Sequence, residues 1–213
     1  MKPTTRHSLL LALALSMVAA SQADSQSVKL GFSNYKQALL AKDGARAASA
    51  VSANSLSYYG RMRTLALSGT KPQVQARDGT EQILILGLRV RAPSAILKSG
   101  SPADLIAYAV DEGMISPGTV ARTELGQVTI EGDLAEAELV LDGKPVSGGV
   151  FRFHHEGTSW KFDLEHASML ARGLFRALAE KRGVSEEALI LDLLSRASGR
   201  PIGEEVWTPP GSR

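Results

Sequence analysis

The period of the hydrophobic pattern changes once along this chain, after Val120, and that change constrains the fold more than any other feature. Upstream, apolar residues recur at three- and four-residue steps, the spacing of a helix face; downstream they fall on every second residue, the spacing of a half-buried strand. Val128 and Ile130 alternate with Thr129 and Glu131, and Gly132-Asp133 follows as a turn. Ala135, Ala137, Leu139 and Leu141 share one face, with Glu136 and Glu138 on the other, until the hairpin signal Asp142-Gly143. Phe151, Phe153 and His155 share a face of the next strand, opposite Arg152 and His154, and Glu156-Gly157 turns the chain again. Trp160, Phe162 and Leu164 then alternate with Lys161, Asp163 and Glu165. Connections this short between successive strands predict an antiparallel meander. Its apolar face needs a cover, and the flanking helices are the available one, so the fold class is α+β: N-terminal helices packed on a curved antiparallel meander, with two C-terminal helices.

The helices have their own punctuation. Leu30, Tyr35, Ala38 and Leu39 mark an amphipathic helix from Val28 to about Leu40, broken by Asp43-Gly44. Ala45 to Ser68, with Val51, Leu56, Tyr59, Met62 and Leu65, predicts one or two more, ended by Gly69 and Pro72. Thr80 to Val90 suits a helix because Glu81 and Gln82 stand near its start and Arg89 and Arg91 at its end. Ser101-Pro102-Ala103-Asp104 has a capping serine, proline at the first helical position and an acid three residues after the cap; Gly113 is a left-handed stop. Ala167 to about Lys181 carries Leu170, Leu174, Ala177 and Leu178 on one face, and a last helix starts at Ser185. Gly148-Gly149 precedes a strand and marks a bulge or bend. Residues 199–213, with Trp207, Pro209 and Pro210, form an extended tail; Trp207 either docks on the domain or waits for a partner.

Residues 1–23 have the layout of a secretory signal peptide. Lys2 and Arg6 form a positive start, Ser8 to Ala20 is apolar apart from Ser8 and Ser16, and Ser21-Gln22-Ala23 offers small residues for cleavage before Asp24. That apolar core is shorter than the ~20 residues of a spanning helix. The domain proper is then 24–198, without a membrane span after cleavage, and the protein is periplasmic or secreted. The chain holds 24 Lys and Arg against 22 Asp and Glu, and Lys2 and Arg6 account for the difference. A mature chain balanced in charge gives no electrostatic basis for nucleic-acid binding. With no cysteine, disulfides, thiolate metal sites and cysteine nucleophiles are excluded.

The order of elements, Tyr35 to Gly44 as a first helix ending in an acid-glycine turn, Gly148 to His155 as a strand and the closing Gly157-x-x-Trp160-Lys161-x-Asp163-Leu164 together resemble the nuclear transport factor 2-like superfamily. The resemblance covers Val28 to Glu165 and implies a cone, in which a bent sheet wraps helices around a pocket. That superfamily includes ketosteroid isomerase-like and polyketide cyclase-like enzymes, dehydratases, and non-enzymatic binding or assembly modules, so the fold does not choose the function. The helices between Thr80 and Gly113 and the two closing helices exceed its minimal pattern.

Two functional classes follow. The first is a non-catalytic binding or assembly module, taking a small hydrophobic ligand on Phe151, Phe153, Trp160 and Phe162 inside the cone or an envelope protein on its sheet face; a second copy of the chain is a further candidate partner. The second is an isomerase, cyclase or dehydratase with His155 as base and Tyr35 or Tyr59, or else Tyr58, as oxyanion donor. Tyr58 and Tyr59 lie about 100° apart on a helix, so at most one faces inward. His154 and His155 face opposite sides of a strand and cannot share one metal ion. No cofactor is implied: the chain lacks a Walker loop, a dinucleotide glycine fingerprint and a Gly-x-Ser-x-Gly elbow. Asp163, Glu165 and Lys161 read as the wet side of the sheet, pairing with Arg152.

Overall fold

A computed structural model of the chain describes residues 6–115 and 117–210, with side chains from residue 22 onward except that of residue 119. Helix α1 (Arg6–Leu40) is followed by α2 (Gly44–Ser49), α3 (Ala53–Ser68), α4 (Lys71–Gln75), α5 (Gly79–Arg91), α6 (Ser94–Ser99), α7 (Pro102–Asp111) and α8 (Pro117–Ala121). A four-stranded antiparallel sheet in sequence order comes next: β1 (Thr123–Glu131), β2 (Leu134–Leu141), β3 (Lys144–Glu156) and β4 (Ser159–Phe162). Helices α9 (Leu164–Arg182) and α10 (Glu186–Ser198) follow, then a 3-10 turn over Glu204–Trp207. The architecture is α+β with a curled sheet, as the change of period predicts. Residues 1–5 of the leader, Lys2 among them, lie outside the described residues; from Arg6 the backbone is helical and runs into α1. No helix among the described residues is long and apolar enough to cross a membrane.

Helix α1 lies in the concave side of the sheet because its apolar residues recur at helical spacing. Val28, Phe32, Tyr35 and Leu39 fall on one stripe and are buried. Gly31 permits the close approach: a Cβ there would stand 2.5 Å from the Trp160 carbonyl oxygen. Any larger residue would push the helix off the sheet.

The sheet's registers follow its sequence alternation. Val128 opposes Ala137, Ile130 opposes Ala135, and Phe153 sits between Ala135 and Phe162. Small alanines on β2 leave room for the Phe151 and Phe153 rings of β3. The β2–β3 ladder is irregular between Glu138 and Val140, opposite the Gly148-Gly149 segment, where Gly148 takes φ +69°. Beyond β4, Val51 makes a single parallel bridge to Phe162, with Ser52 N–H donating to the Phe162 carbonyl (3.0 Å) and Phe162 N–H to the Ala50 carbonyl (2.9 Å). That loop satisfies part of an otherwise open edge.

Helix α5 is the centre of the helical layer. Ile85, Leu86 and Leu88 are fully buried against α3 and α10. Asp78 caps it, accepting from the N–H groups of Thr80 (3.0 Å) and Glu81 (3.1 Å), and also binds Arg172 of α9 at 2.8 Å. At the other end Arg89 donates to the carbonyls of Leu65, Ala66 and Gly69, where α3 ends, and to those of Val206 and Trp207.

Four expectations need correction. The strands start at Thr123, because Pro117–Ala121 forms one more helical turn. β4 ends at Phe162: Asp163 is the cap of α9 and Leu164 its first residue, so Asp163 and Glu165 do not continue a wet strand face. Leu174 is 75% exposed, and α9 seats Phe175 and Ala179 instead of the Leu174 stripe. The tail is not extended: it folds back and buries Trp207 to 2% exposure under Lys71, whose ammonium sits 5.2 Å from the ring centroid.

Candidate functional site

The concave side of the sheet is where the resemblance places a pocket. Here it is occupied by the protein's own rings. Phe32 of α1 stands 5.7 Å from Phe151, 6.3 Å from Phe153 and 5.5 Å from Phe162, and Tyr35 is 5.0 Å from Phe162. Phe151 and Phe153 pack on Phe162 in turn at 5.0 and 5.4 Å. Edge-to-face and tilted rings at these separations are close packing, with each ring contributing its burial plus about 0.5–1.5 kcal/mol per aromatic pair. Three of the four expected binding residues, Phe153, Trp160 and Phe162, are buried, and Phe151 is half-buried. The structure thus brings together Phe151, Phe153 and Phe162, as a packed cluster with Phe32, a residue the sequence reading did not single out.

The expected catalytic residues separate into two places. His155 is exposed at the β3–β4 turn; its ring packs at a tilt against Trp160, 5.0 Å between centroids, and Nδ1 lies 3.7 Å from an Asp133 carboxylate oxygen that is itself in solvent. Tyr35 and Tyr59 are neighbours in the interior. Burial, then the proximity of Tyr59, pushes the Tyr35 phenol up; burial does the same to Tyr59, against a hydrogen bond from Ser168. Tyr58 is also buried, 5.3 Å from Tyr59 ring to ring, and its phenol is pushed up by burial and by Glu81. Phenols held up in this way donate hydrogen bonds and do not ionise. Among the described residues His155 has no tyrosine beside it.

The unexpected polar centre is Asp163. Its position is set by local rules: the chain must leave β4 and start α9, and an acid at the cap accepts the N–H of His166 (3.0 Å). The same carboxylate accepts from the Ser55 hydroxyl of α3 (3.1 Å), while its second oxygen lies 3.0 Å from His154 Nε2. Ser55 also accepts the Glu165 N–H (3.3 Å) and pairs with Ser52 (3.0 Å); both serines are fully buried. This is serine, acid and histidine in the wrong order for nucleophilic catalysis. The acid stands between the other two, so the imidazole cannot take the serine's proton. What the node does is tie α3, β3 and α9 together. His154, on the strand face it shares with Arg152, is held by it.

Beyond the node, the convex face of the sheet is open. Glu136 and Arg152 pair across β2 and β3 at 2.7 Å. His166 of α9 lies over β3: its ring hydrogen-bonds the Val150 backbone, and Nε2 is buried with no partner among the described residues. Burial, then the charge of Arg152, depresses its basicity below that of ordinary histidine, so the ring is neutral at pH 7. Two grooves of about 520 and 270 Å³ adjoin here, sharing Thr129 and Glu136. The first is lined by Glu138, Val146 and Val150, the second by Glu131, Leu134 and Arg152. Among the described residues Glu131 and Glu138 make no ion pair, so the strip is acidic, with aliphatic patches.

No protein-family model, no curated protein and no solved structure matches this chain.

Proposed function

We propose that this chain is an exported, non-catalytic binding module of the nuclear transport factor 2-like type that grips a protein partner with the convex face of its sheet. The observation that carries this reading is the filled concave side. Rings from α1 take the volume in which a cone would hold a ligand, while the convex face keeps two adjoining grooves. The partner is one that presents basic and aliphatic side chains, since Glu131 and Glu138 are unneutralised beside Val146 and Val150. The enzyme alternative draws no support from the placement of His155, which faces water away from the tyrosines. Export is supported by the leader, whose positive start, apolar core and small residues before Asp24 have the layout of a secretory signal.

A photo-crosslinking amino acid placed at Val146 or Thr129 of the full chain, expressed in its native cells, tests the reading. The expected result is a discrete adduct from both positions that disappears on charge reversal by Glu131→Lys with Glu138→Lys. The control is Leu40, 47% exposed at the end of α1. No adduct from the sheet, or the same adduct from Leu40, contradicts the reading. Export predicts a mature form whose mass begins at Asp24.

A further inference from the structure

A third groove, of about 390 Å³, lies at the β4 edge of the sheet, between α1, the end of α2 and the β3–β4 turn. Its size is that of small-ligand sites. Gly31 lets α1 approach the Trp160 backbone closely beside the groove. Two cations line it, Arg46 and Lys161, and no carboxylate does among the described residues. They are linked through one residue: Lys161 Nζ donates to the Ser49 carbonyl at 2.6 Å, and the Ser49 hydroxyl donates to the Arg46 carbonyl at 2.8 Å. Neither cation makes an ion pair among the described residues. Arg46 spends one N–H group on Gln37 (3.2 Å) and Lys161 one on Ser49, leaving both with donors to offer. Around them stand the amide of Asn34 and the hydroxyls of Thr158 and Ser159, groups that both donate and accept.

We propose that this groove binds a small polyhydroxylated anion, the class of sugar phosphates and sugar acids. An oxyanion is what two unneutralised cations recognise, through charge-assisted hydrogen bonds. Neighbouring groups that both donate and accept match hydroxyls, which do the same. The site is independent of the convex sheet face and stands or falls without it.

Titration of the isotope-labelled full chain, followed by the backbone resonances of Thr158 to Lys161 and the Trp160 indole, tests the assignment. The probes are glucose 6-phosphate, gluconate, glucose and inorganic phosphate. The expected result is saturable binding of glucose 6-phosphate or gluconate, the tighter of the two naming the head group, with glucose and inorganic phosphate at least tenfold weaker. Arg46→Gln and Lys161→Gln each weaken binding about tenfold or more, the scale of one lost charged hydrogen bond. Lys29→Gln, on α1 outside the groove, leaves it unchanged. Raising salt weakens it as well. No saturable shift at these residues overturns the proposal. So does glucose binding as tightly as the anions, inorganic phosphate binding as tightly as glucose 6-phosphate, or affinity indifferent to both variants.

Discussion

Asp163 ties α3, β3 and α9 together, and its contribution is measurable. It caps α9, holds the buried Ser55 hydroxyl and orients His154. Removing it strands polar groups in the interior, each costing roughly 1–3 kcal/mol, on top of about 1 kcal/mol for the cap. Asp163→Ala is expected to lower unfolding stability by about 3 kcal/mol in urea titrations. In a double-mutant cycle with Ser55→Ala the losses are expected to fall short of adding by more than about 0.5 kcal/mol; additive losses would mean the two side chains do not share one node. His166 gives a prediction of pH dependence. Its folded basicity is depressed by burial and Arg152, against the opposing pull of Asp163, Glu136 and the Val150 backbone. The unfolded chain therefore binds the proton first, and stability falls as pH drops below about 6.5, the ordinary histidine value. Between pH 7.5 and 5.5 the wild type is expected to lose more stability than His166→Gln. An equal loss in both would show that the imidazole does not titrate differently on folding.

The elements differ in how plainly the sequence announced them. The meander was legible because Ala135, Ala137, Phe151 and Phe153 alternate strictly and the hairpins carry acid-glycine turns. α7 was legible from its box of Ser101 and Asp104, which the structure forms with Ser101 accepting at 3.1 Å. The end of β4 was not. Leu164 keeps the alternation of Trp160 and Phe162, and only the capping geometry of Asp163 reveals that the backbone has already turned. The same ambiguity hid the site: Asp163 and His154 read as surface groups when their strand is taken to continue. α9 misled for another reason, since Leu174 and Phe175 are adjacent and a helical stripe through either is apolar; tertiary packing chose Phe175. The tail has the least local signal, because its order comes from Arg89, far away in sequence. Arg89→Gln removes donors from several carbonyls and is expected to cost about 3 kcal/mol or more, at 1.5–3 kcal/mol per charged hydrogen bond. Fluorescence of Trp207 in that variant is expected to shift to the red as its site opens to water. A spectrum unchanged from the wild type would contradict the clamp.

At the scale of the whole molecule, a curled sheet closes on its first helix, and packed rings fill its concave side. The α+β class, helices packed on a curled antiparallel sheet, was readable from the order of helices and strands. The filling of the concave side was not, because it depends on which side of α1 Phe32 faces once Gly31 has let the helix down onto Trp160. Two outer surfaces of opposite character result: an acidic, aliphatic strip on the convex sheet and a cationic, hydroxylated groove beside the β3–β4 turn. The reading of the convex face as the binding surface presumes that the interior has no room for a ligand. The direct measurement is titration of the full chain with a lipophilic fluorophore and with benzene, followed by the resonances of Phe32, Phe151 and Phe162. Phe32→Ala serves as the positive control, a cavity lined by the remaining rings. The wild type is expected to take up neither probe and the variant to bind benzene, as apolar cavities do. Saturable binding of either probe among those rings in the wild type would contradict the account.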